Sequence, residues 1–195
     1  GVELALTESG PVDGRPVLFL HGYTDSWYSW SPILHRLAPD VRAIVPTQRG
    51  HGESERPSCC YGMEDFAADA VALLDALGID RASVVGHSMG SFVAQRVAID
   101  YPERVDRLVL IGAAPTGDLG PLRELADAVR GLPDPIPLEF RREFQASTAV
   151  DPLPEPFFRR VVEESGKLPG RLWREVLDEI LAFDVTDQLP RIQAS

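Results

Sequence analysis

Apolar positions in the first 111 residues follow two different patterns. At the start, Val2, Leu4 and Leu6 alternate with other residues, which is typical of a strand with one solvent-facing side at the edge of a sheet. Later runs are short and almost continuously apolar, as in parallel strands covered by helices on both faces. These runs lie at 17–20, 43–45, 83–85 and 107–111.

Stretches with helical periodicity separate the apolar runs. The pattern predicts helices at 26–37, 64–77 and 89–99. Because strand and helix alternate, we expect an α/β fold with a doubly wound, mostly parallel sheet. Right-handed crossovers then place the loops that follow the strands along one edge, where such sheets build their sites.

The pattern changes after residue 114. Residues 115–187 contain nine of the 17 prolines and four helix candidates, with no convincing strand. The candidates are 122–130, 138–146, 156–164 and 172–182. We therefore predict a core at 1–114, a helical cap inserted over the sheet at 115–187, and the start of a return to the core at 188–195.

Composition narrows the class of protein. An apolar share of 44% and a charged share of 25% are those of a globular domain, and the net charge of −11 argues against nucleic acid or an anionic membrane as a partner. The sequence has no apolar run long enough for a membrane span and no signal-peptide pattern at its start, so we expect a cytoplasmic protein. Cys59 and Cys60 are adjacent, and we interpret them as free thiols.

The candidate chemistry centres on the segment 86–90, Gly-His-Ser-Met-Gly. It matches G-x-S-x-G, and it stands directly after an apolar strand and directly before a helix, as a nucleophile turn requires. Ser88 is therefore the predicted nucleophile. The N–H of Met89 and the N–H of Tyr23, in the loop after the strand at 17–20, are the predicted donors to the oxyanion of a tetrahedral intermediate.

Several segments together resemble the α/β-hydrolase superfamily, and in particular its small serine esterases and cofactor-free haloperoxidase-like enzymes with a helical cap. They are Leu-His-Gly-Tyr at 20–23, Gln-Arg-Gly-His-Gly-Glu-Ser at 48–54, Leu-Leu-Asp-Ala-Leu-Gly at 73–78, the nucleophile turn at 86–90 and Tyr-Pro-Glu-Arg-Val at 101–105. Members with aspartate at the nucleophile position open epoxides or carbon–halogen bonds, so Ser88 favours acyl transfer.

The resemblance implies a chain order of nucleophile, acid and then histidine. The four histidines, at positions 21, 35, 51 and 87, all precede Ser88, so none occupies the position of the base. Asp118 is the one carboxylate near the site that some relatives use for the acid, although it lies several residues too late. We therefore expect the triad histidine, the acid and the C-terminal strands of the sheet to be absent from the 195 residues, which alone should be inactive.

The function expected from the sequence is hydrolysis of a small carboxylic ester or lactone through an acyl-enzyme on Ser88, with no metal or organic cofactor. Trp27, Trp30 and Trp173 are candidates to line the substrate pocket. Perhydrolysis by the same serine is one alternative, and a non-catalytic sensor or binding module with this fold is another. An uncovered sheet edge also predicts association with another chain or with a missing C-terminal segment.

Overall fold

A computed structural model describes residues 1–194, so Ser195, the last residue of the predicted segment 188–195, lies outside the described residues. Five strands form one sheet in the order β1-β3-β2-β4-β5. Their bounds are β1 Leu6–Ser9, β2 Arg15–Leu20, β3 Val41–Pro46, β4 Ala82–His87 and β5 Val105–Ile111. β1 is antiparallel to β3, and the other neighbours are parallel. The predicted mostly parallel α/β sheet is confirmed.

Alternate residues of the central strands face opposite layers, because successive side chains of a strand point to opposite faces. Leu18 and Leu20 pack in the core that contains the helices α2 (Met63–Ala76) and α3 (Met89–Asp100). Phe19 faces the other side and packs with Trp30, whose ring centroid is 5.1 Å away. Helical segments therefore cover both faces of the sheet.

Two local predictions from the sequence are wrong in extent. The helix expected at 26–37 is a 3₁₀ turn, Trp27–Trp30, followed by the single-turn helix α1, Ser31–Leu34. Pro32 has no N–H to donate to the preceding turn, which limits continuous α-helix at this point. The first strand begins at Leu6 rather than at the start of the alternating pattern.

The cysteine interpretation is also wrong. Cys59 and Cys60 are joined in a disulfide between neighbouring residues, and the two Cα atoms are 3.8 Å apart. Cys60 adopts a φ of 74°, so the chain turns within the pair. Because adjacent residues cannot connect distant parts of a chain, this bond constrains only its own loop.

Four helices follow β5, close to the predicted positions. They are α4 Gly120–Arg130, α5 Leu138–Ser147, α6 Glu155–Ser165 and α7 Gly170–Ala182. Residues 120–182, called the four-helix segment below, pack on the core through α7, whose Trp173, Val176 and Leu177 are buried. None of the helices in residues 1–194 has the length and apolarity that a membrane crossing requires.

Polar contacts also tie the four-helix segment to the loops of the sheet. The Tyr23 hydroxyl donates to the carbonyl of Trp173, and Arg56 donates to the carbonyl of Lys167. Glu164 is buried and lies 2.8 Å from both Arg160 and Lys167, which balance its charge. These contacts hold the segment above the carboxyl ends of the strands.

β5 is an edge strand among residues 1–194, since it pairs with β4 on one side alone. Its second half presents Val109 and Ile111, which are 48% and 43% exposed. Large apolar side chains on an unpaired strand edge are unusual in a free-standing sheet, because such an edge can pair with another strand.

Candidate functional site

Ser88 stands on a sharp turn between β4 and α3. Its φ of 51° and ψ of −120° lie outside the conformations that a residue with a side chain prefers. The Ser88 N–H donates to the carbonyl of Ile111 at 2.9 Å, and the Ser88 carbonyl accepts from the N–H of Ser91 at 2.8 Å. These two bonds fix the backbone of the turn on either side of the serine.

The two glycines of the turn are required by close backbone approach. A methyl group on Gly86 would lie 2.2 Å from the carbonyl oxygen of Gly90, and one on Gly90 would lie 2.1 Å from the carbonyl oxygen of Leu20. No residue with a Cβ fits at either position without moving the backbone. This is the physical reason for the Gly-x-Ser-x-Gly spacing: the strand, the turn and the start of α3 pack too tightly for side chains.

Ser88 is half-buried and opens into a cavity of about 260 Å³. Tyr23, Asp25 and His87 line it, and Phe144 and Thr148 contribute from α5 and the residue after it. Apart from hydrogen bonds within the helices and strands, no backbone carbonyl of residues 1–194 accepts a hydrogen bond from the N–H of Tyr23 or of Met89. Tyr23 lies in the lining of this cavity, and Met89 is the first residue of α3, directly after Ser88.

A second cavity of about 260 Å³ adjoins the first across Asp25, His87 and Thr148, which line both. Its remaining lining is mainly apolar and comes from the sheet edge, the loop after β2 and α6. These apolar residues are Trp30, Ile33, Ile111, Leu153, Phe157 and Val161. The arrangement has room for an apolar substituent beside the nucleophile.

The three predicted pocket tryptophans have different surroundings. Trp30 lines the apolar cavity. Trp27 packs edge-on against Tyr28 and joins the apolar cluster on the α1 side of the sheet. Trp173 is fully buried and donates from Nε1 to the carbonyl of Ser165, so within the described residues its role is packing against Tyr23 rather than substrate contact.

His21 and His51 are buried beneath the site and hold its loops. His21 Nδ1 lies 2.9 Å from the carbonyl of Gly22, and its Nε2 accepts from the N–H of Gln48. Burial lowers the pKa of His21 well below its ordinary value, and it lowers the pKa of His51 to about 4. Both rings are therefore neutral at neutral pH, and in His21 both nitrogens are engaged.

Asp118, the acid considered from the sequence, is distant from this chemistry. It is exposed and paired with Arg123 at 2.5 Å, and that pairing lowers its pKa. It lines neither of the cavities at Ser88.

Sequence reasoning missed Asp25. This residue follows the predicted oxyanion loop by two positions, and its side chain lies beside Gly22 and Ser88. Burial raises its pKa to about 6, although hydrogen bonds from Gln145 and from the Gly22 backbone oppose that rise. The signal available in the sequence was an acidic residue two positions after Tyr23, the predicted oxyanion donor.

The family model of the alpha/beta hydrolase fold matches residues 15–175. The chain belongs to the alpha/beta hydrolase family. Family membership agrees with the strand–turn–helix around Ser88, which is where this fold carries its nucleophile.

Curated relatives of this alpha/beta hydrolase include enzymes of different named activities. The chain is 38% identical over 153 residues to a non-heme chloroperoxidase of Streptomyces lividans, an alignment covering 77% of this chain and 52% of that protein. It is 40% identical over 146 residues to a 2-hydroxymuconate semialdehyde hydrolase of Pseudomonas sp. strain CF600, covering 73% and 50% respectively. The chain therefore spans about half the length of the curated relatives it matches.

Solved structures show the same fold at lower identity. A hydrolase from Pseudomonas aeruginosa PA01 has a TM-score of 0.84 and 24% identity, and the match covers 100% of this chain and 74% of that one. The enol-lactonase from Burkholderia xenovorans LB400 has a TM-score of 0.76 and 21% identity, covering 100% and 76%. The helical part of this alpha/beta hydrolase thus has counterparts in both.

Proposed function

We propose that this protein hydrolyses small carboxylic esters or lactones through an acyl-enzyme on Ser88. The observation that carries the proposal is the strained, half-buried serine at the floor of a cavity. In the first step Ser88 Oγ bonds to the acyl carbon and its proton passes to a base. The tetrahedral intermediate then collapses, and the alcohol leaves with a proton. Water repeats the sequence on the acyl-enzyme and releases the acid.

Tyr23 and Met89 are proposed to bind the oxyanion through their backbone N–H groups. Support comes from the lack of carbonyl acceptors for these two N–H groups outside the regular elements of residues 1–194, from Tyr23 lining the cavity at Ser88, and from Met89 directly following Ser88 at the start of α3. Backbone donors held in a fixed position need no rearrangement as charge develops on the oxygen, which makes them effective in stabilising the transition state.

Relatives of the chain also include epoxide hydrolases, for example the soluble epoxide hydrolase of Corynebacterium sp. strain C12. Opening an epoxide through a covalent intermediate requires a carboxylate nucleophile, whose ester can then be hydrolysed at its carbonyl. An ether formed on a serine would have no carbonyl for water to attack. The presence of Ser88 therefore supports acyl transfer.

We further propose that the base is a histidine outside the 195 residues. His21 and His51 are buried, neutral and engaged in holding loops. His87 precedes Ser88 on the same turn and lines the same cavity, but its ring lies edge-on to Trp30 with centroids 6.3 Å apart, and among residues 1–194 no hydrogen-bonded acid orients it as a triad histidine requires. The exposed Val109 and Ile111 on β5 support further strands at that edge, and residues 115–187 would then form a cap inserted between the two parts of the core.

Perhydrolysis is the second candidate, favoured by the similarity to a non-heme chloroperoxidase. In that reaction hydrogen peroxide replaces water as the acceptor of the acyl group, and Ser88 has the same role. Peracid formed from an acetate ester, measured beside acetate release, separates the two activities.

The test is hydrolysis of a short-chain 4-nitrophenyl ester by the full-length encoded protein and by its Ser88→Ala variant. Ser147→Ala is the matched control, since this serine is exposed on α5 and its hydroxyl donates only to the carbonyl of Phe144. We expect Ser88→Ala to lose turnover by about 10³-fold or more while the control keeps it. Equal turnover in Ser88→Ala would contradict the proposal, and ligand binding without any turnover in the parent protein would favour a non-catalytic module.

A further inference from the structure

The boundary between the two cavities carries a carboxylate that the proposed acyl transfer does not use. Asp25 Oδ1 accepts from Gln145 Nε2 at 3.1 Å, which ties the loop after β2 to α5. The Gly22 backbone also hydrogen-bonds the carboxylate, and within residues 1–194 no side chain donates to the other oxygen, Oδ2. Because each oxygen of an ionised carboxylate can accept more than one hydrogen bond, Asp25 keeps acceptor capacity in the lining of both cavities.

Gly22 shows how close this acceptor is to the nucleophile. A methyl group built on Gly22 would lie 3.1 Å from Asp25 Oδ2, 3.3 Å from His87 Nδ1 and 3.4 Å from Ser88 Cβ. Since all three distances are measured to one point, the carboxylate and the nucleophile are within reach of one small substrate. Glycine at this position leaves the space between them open.

We propose that Asp25 selects substrates that carry a hydroxyl or amide N–H donor on the acyl carbon next to the scissile carbonyl. This rests on the proposed acyl transfer at Ser88. An acyl chain that extends from Ser88 into the apolar cavity places its first carbons at the boundary between the two cavities, where Asp25 Oδ2 lies. The rest of the chain then packs among side chains such as Trp30, Leu153 and Phe157.

The energetics of a buried acceptor give the selectivity its direction. With a pKa of about 6, Asp25 is mainly ionised at neutral pH and can only accept hydrogen bonds. A substrate that shields the carboxylate from water and offers no donor leaves its charge with only the hydrogen bonds from Gln145 and the Gly22 backbone. Sites built to bond a substrate hydroxyl or N–H reject analogues that lack it for this reason.

The experiment compares 4-nitrophenyl 2-hydroxyhexanoate with 4-nitrophenyl 2-fluorohexanoate, using each enantiomer. Both substituents are small and electron-withdrawing, and the hydroxyl alone can donate. After correction for spontaneous hydrolysis, we expect kcat/KM of the full-length protein to favour the hydroxy ester by roughly 10- to 100-fold, the value of a hydrogen bond to a charged group. In Asp25→Asn the ratio should fall to about one, because the neutral amide has a single acceptor oxygen, for which Gln145 and the Gly22 backbone already compete.

Asp127→Asn is the matched control, since Asp127 is exposed on α4 and paired with Arg130. It should keep the parent ratio. The inference would be overturned if the parent protein hydrolysed the hydroxy and fluoro esters with equal kcat/KM, or if Asp25→Asn kept the preference of the parent. If Asp25→Asn does not fold, the preference of the parent protein for the hydroxy ester is by itself the test. Turnover that survives Ser88→Ala would contradict the proposed acyl transfer instead. Calorimetry of 2-hydroxyhexanamide and 2-fluorohexanamide on Ser88→Ala tests the same preference without turnover.

Discussion

Asp25→Asn should stabilise the protein at neutral pH, even though it removes a group proposed to contact substrate. The ordinary pKa of the Asp25 carboxyl is 3.8, and burial raises it to about 6 in the fold. At about 1.36 kcal/mol per pKa unit, keeping this carboxylate ionised inside the protein costs up to about 3 kcal/mol. Because the side chain is partly open to the cavity, we expect a gain of about 1 to 3 kcal/mol in the free energy of unfolding.

The sign of the pH dependence follows from proton binding. The folded protein holds the Asp25 proton more tightly than the unfolded chain does, so the contribution of this group to stability is present below about pH 4 and is lost as pH rises through about 6. Asp25→Asn should therefore match the parent near pH 4 and exceed it at pH 7.5. His87 and Tyr23, the other titratable groups lining the Ser88 cavity, are present in both proteins.

Urea unfolding followed by tryptophan fluorescence measures this difference at pH 4.5 and pH 7.5. Subtracting the parent from the variant at each pH removes the effect of groups that both proteins share, and Asp127→Asn should show a difference independent of pH. A variant less stable than the parent at pH 7.5, or a difference that does not change with pH, would refute the burial of an ionised Asp25. A lower free energy of unfolding caused by Asp25, a residue proposed to contact substrate, would fit the known trade-off between stability and activity.

Three further changes test the turn, the buried histidines and the oxyanion loop. Gly90→Ala should lower the free energy of unfolding by more than about 3 kcal/mol, because its methyl group would lie 2.1 Å from the Leu20 carbonyl oxygen. The control Gly131→Ala, whose methyl group would have no atom within 4 Å, should be neutral or slightly stabilising in the same denaturation assay. His51 should contribute a loss of stability as pH falls below about 6.5, because burial holds its pKa at about 4 and the unfolded chain takes up the proton first. Since Asp25 acts with the opposite sign over this range, the test is the difference in thermal unfolding between the parent and His51→Gln, and a difference that does not change with pH would contradict the prediction. Gly22→Val should lower kcat by about 10²-fold in steady-state kinetics and also raise KM, because its side chain enters the space beside Ser88; a rise in KM alone would show that the proposed oxyanion loop only binds substrate.

Most of the fold could be predicted because its signals are local. Four apolar runs located β2 to β5, and periodicity with Gly and Pro boundaries located α2 to α7 within a few residues. The helix expected at 26–37 failed where Pro32 and clustered aromatic residues make the local pattern ambiguous. The sharp turn at Ser88 was predictable because it needs glycines at fixed spacing on either side of the serine.

The contact between Asp25 and Gln145 beside Ser88 could not be predicted from local sequence patterns. Asp25 meets Gln145 across 120 positions of sequence, and no local pattern reports such a contact. Trp173 was expected near substrate, but aromatic residues serve equally as core, and its placement depends on how α7 packs on Tyr23.

Covalent labelling is the most direct test of Ser88 as the nucleophile. A fluorophosphonate probe reacts with an activated serine, and mass spectrometry of the digested full-length protein locates the label. We predict modification of Ser88 alone, with no labelling of Ser88→Ala and parent-like labelling of Ser147→Ala. Modification at another residue, or an unlabelled parent protein that still hydrolyses esters, would contradict the assignment.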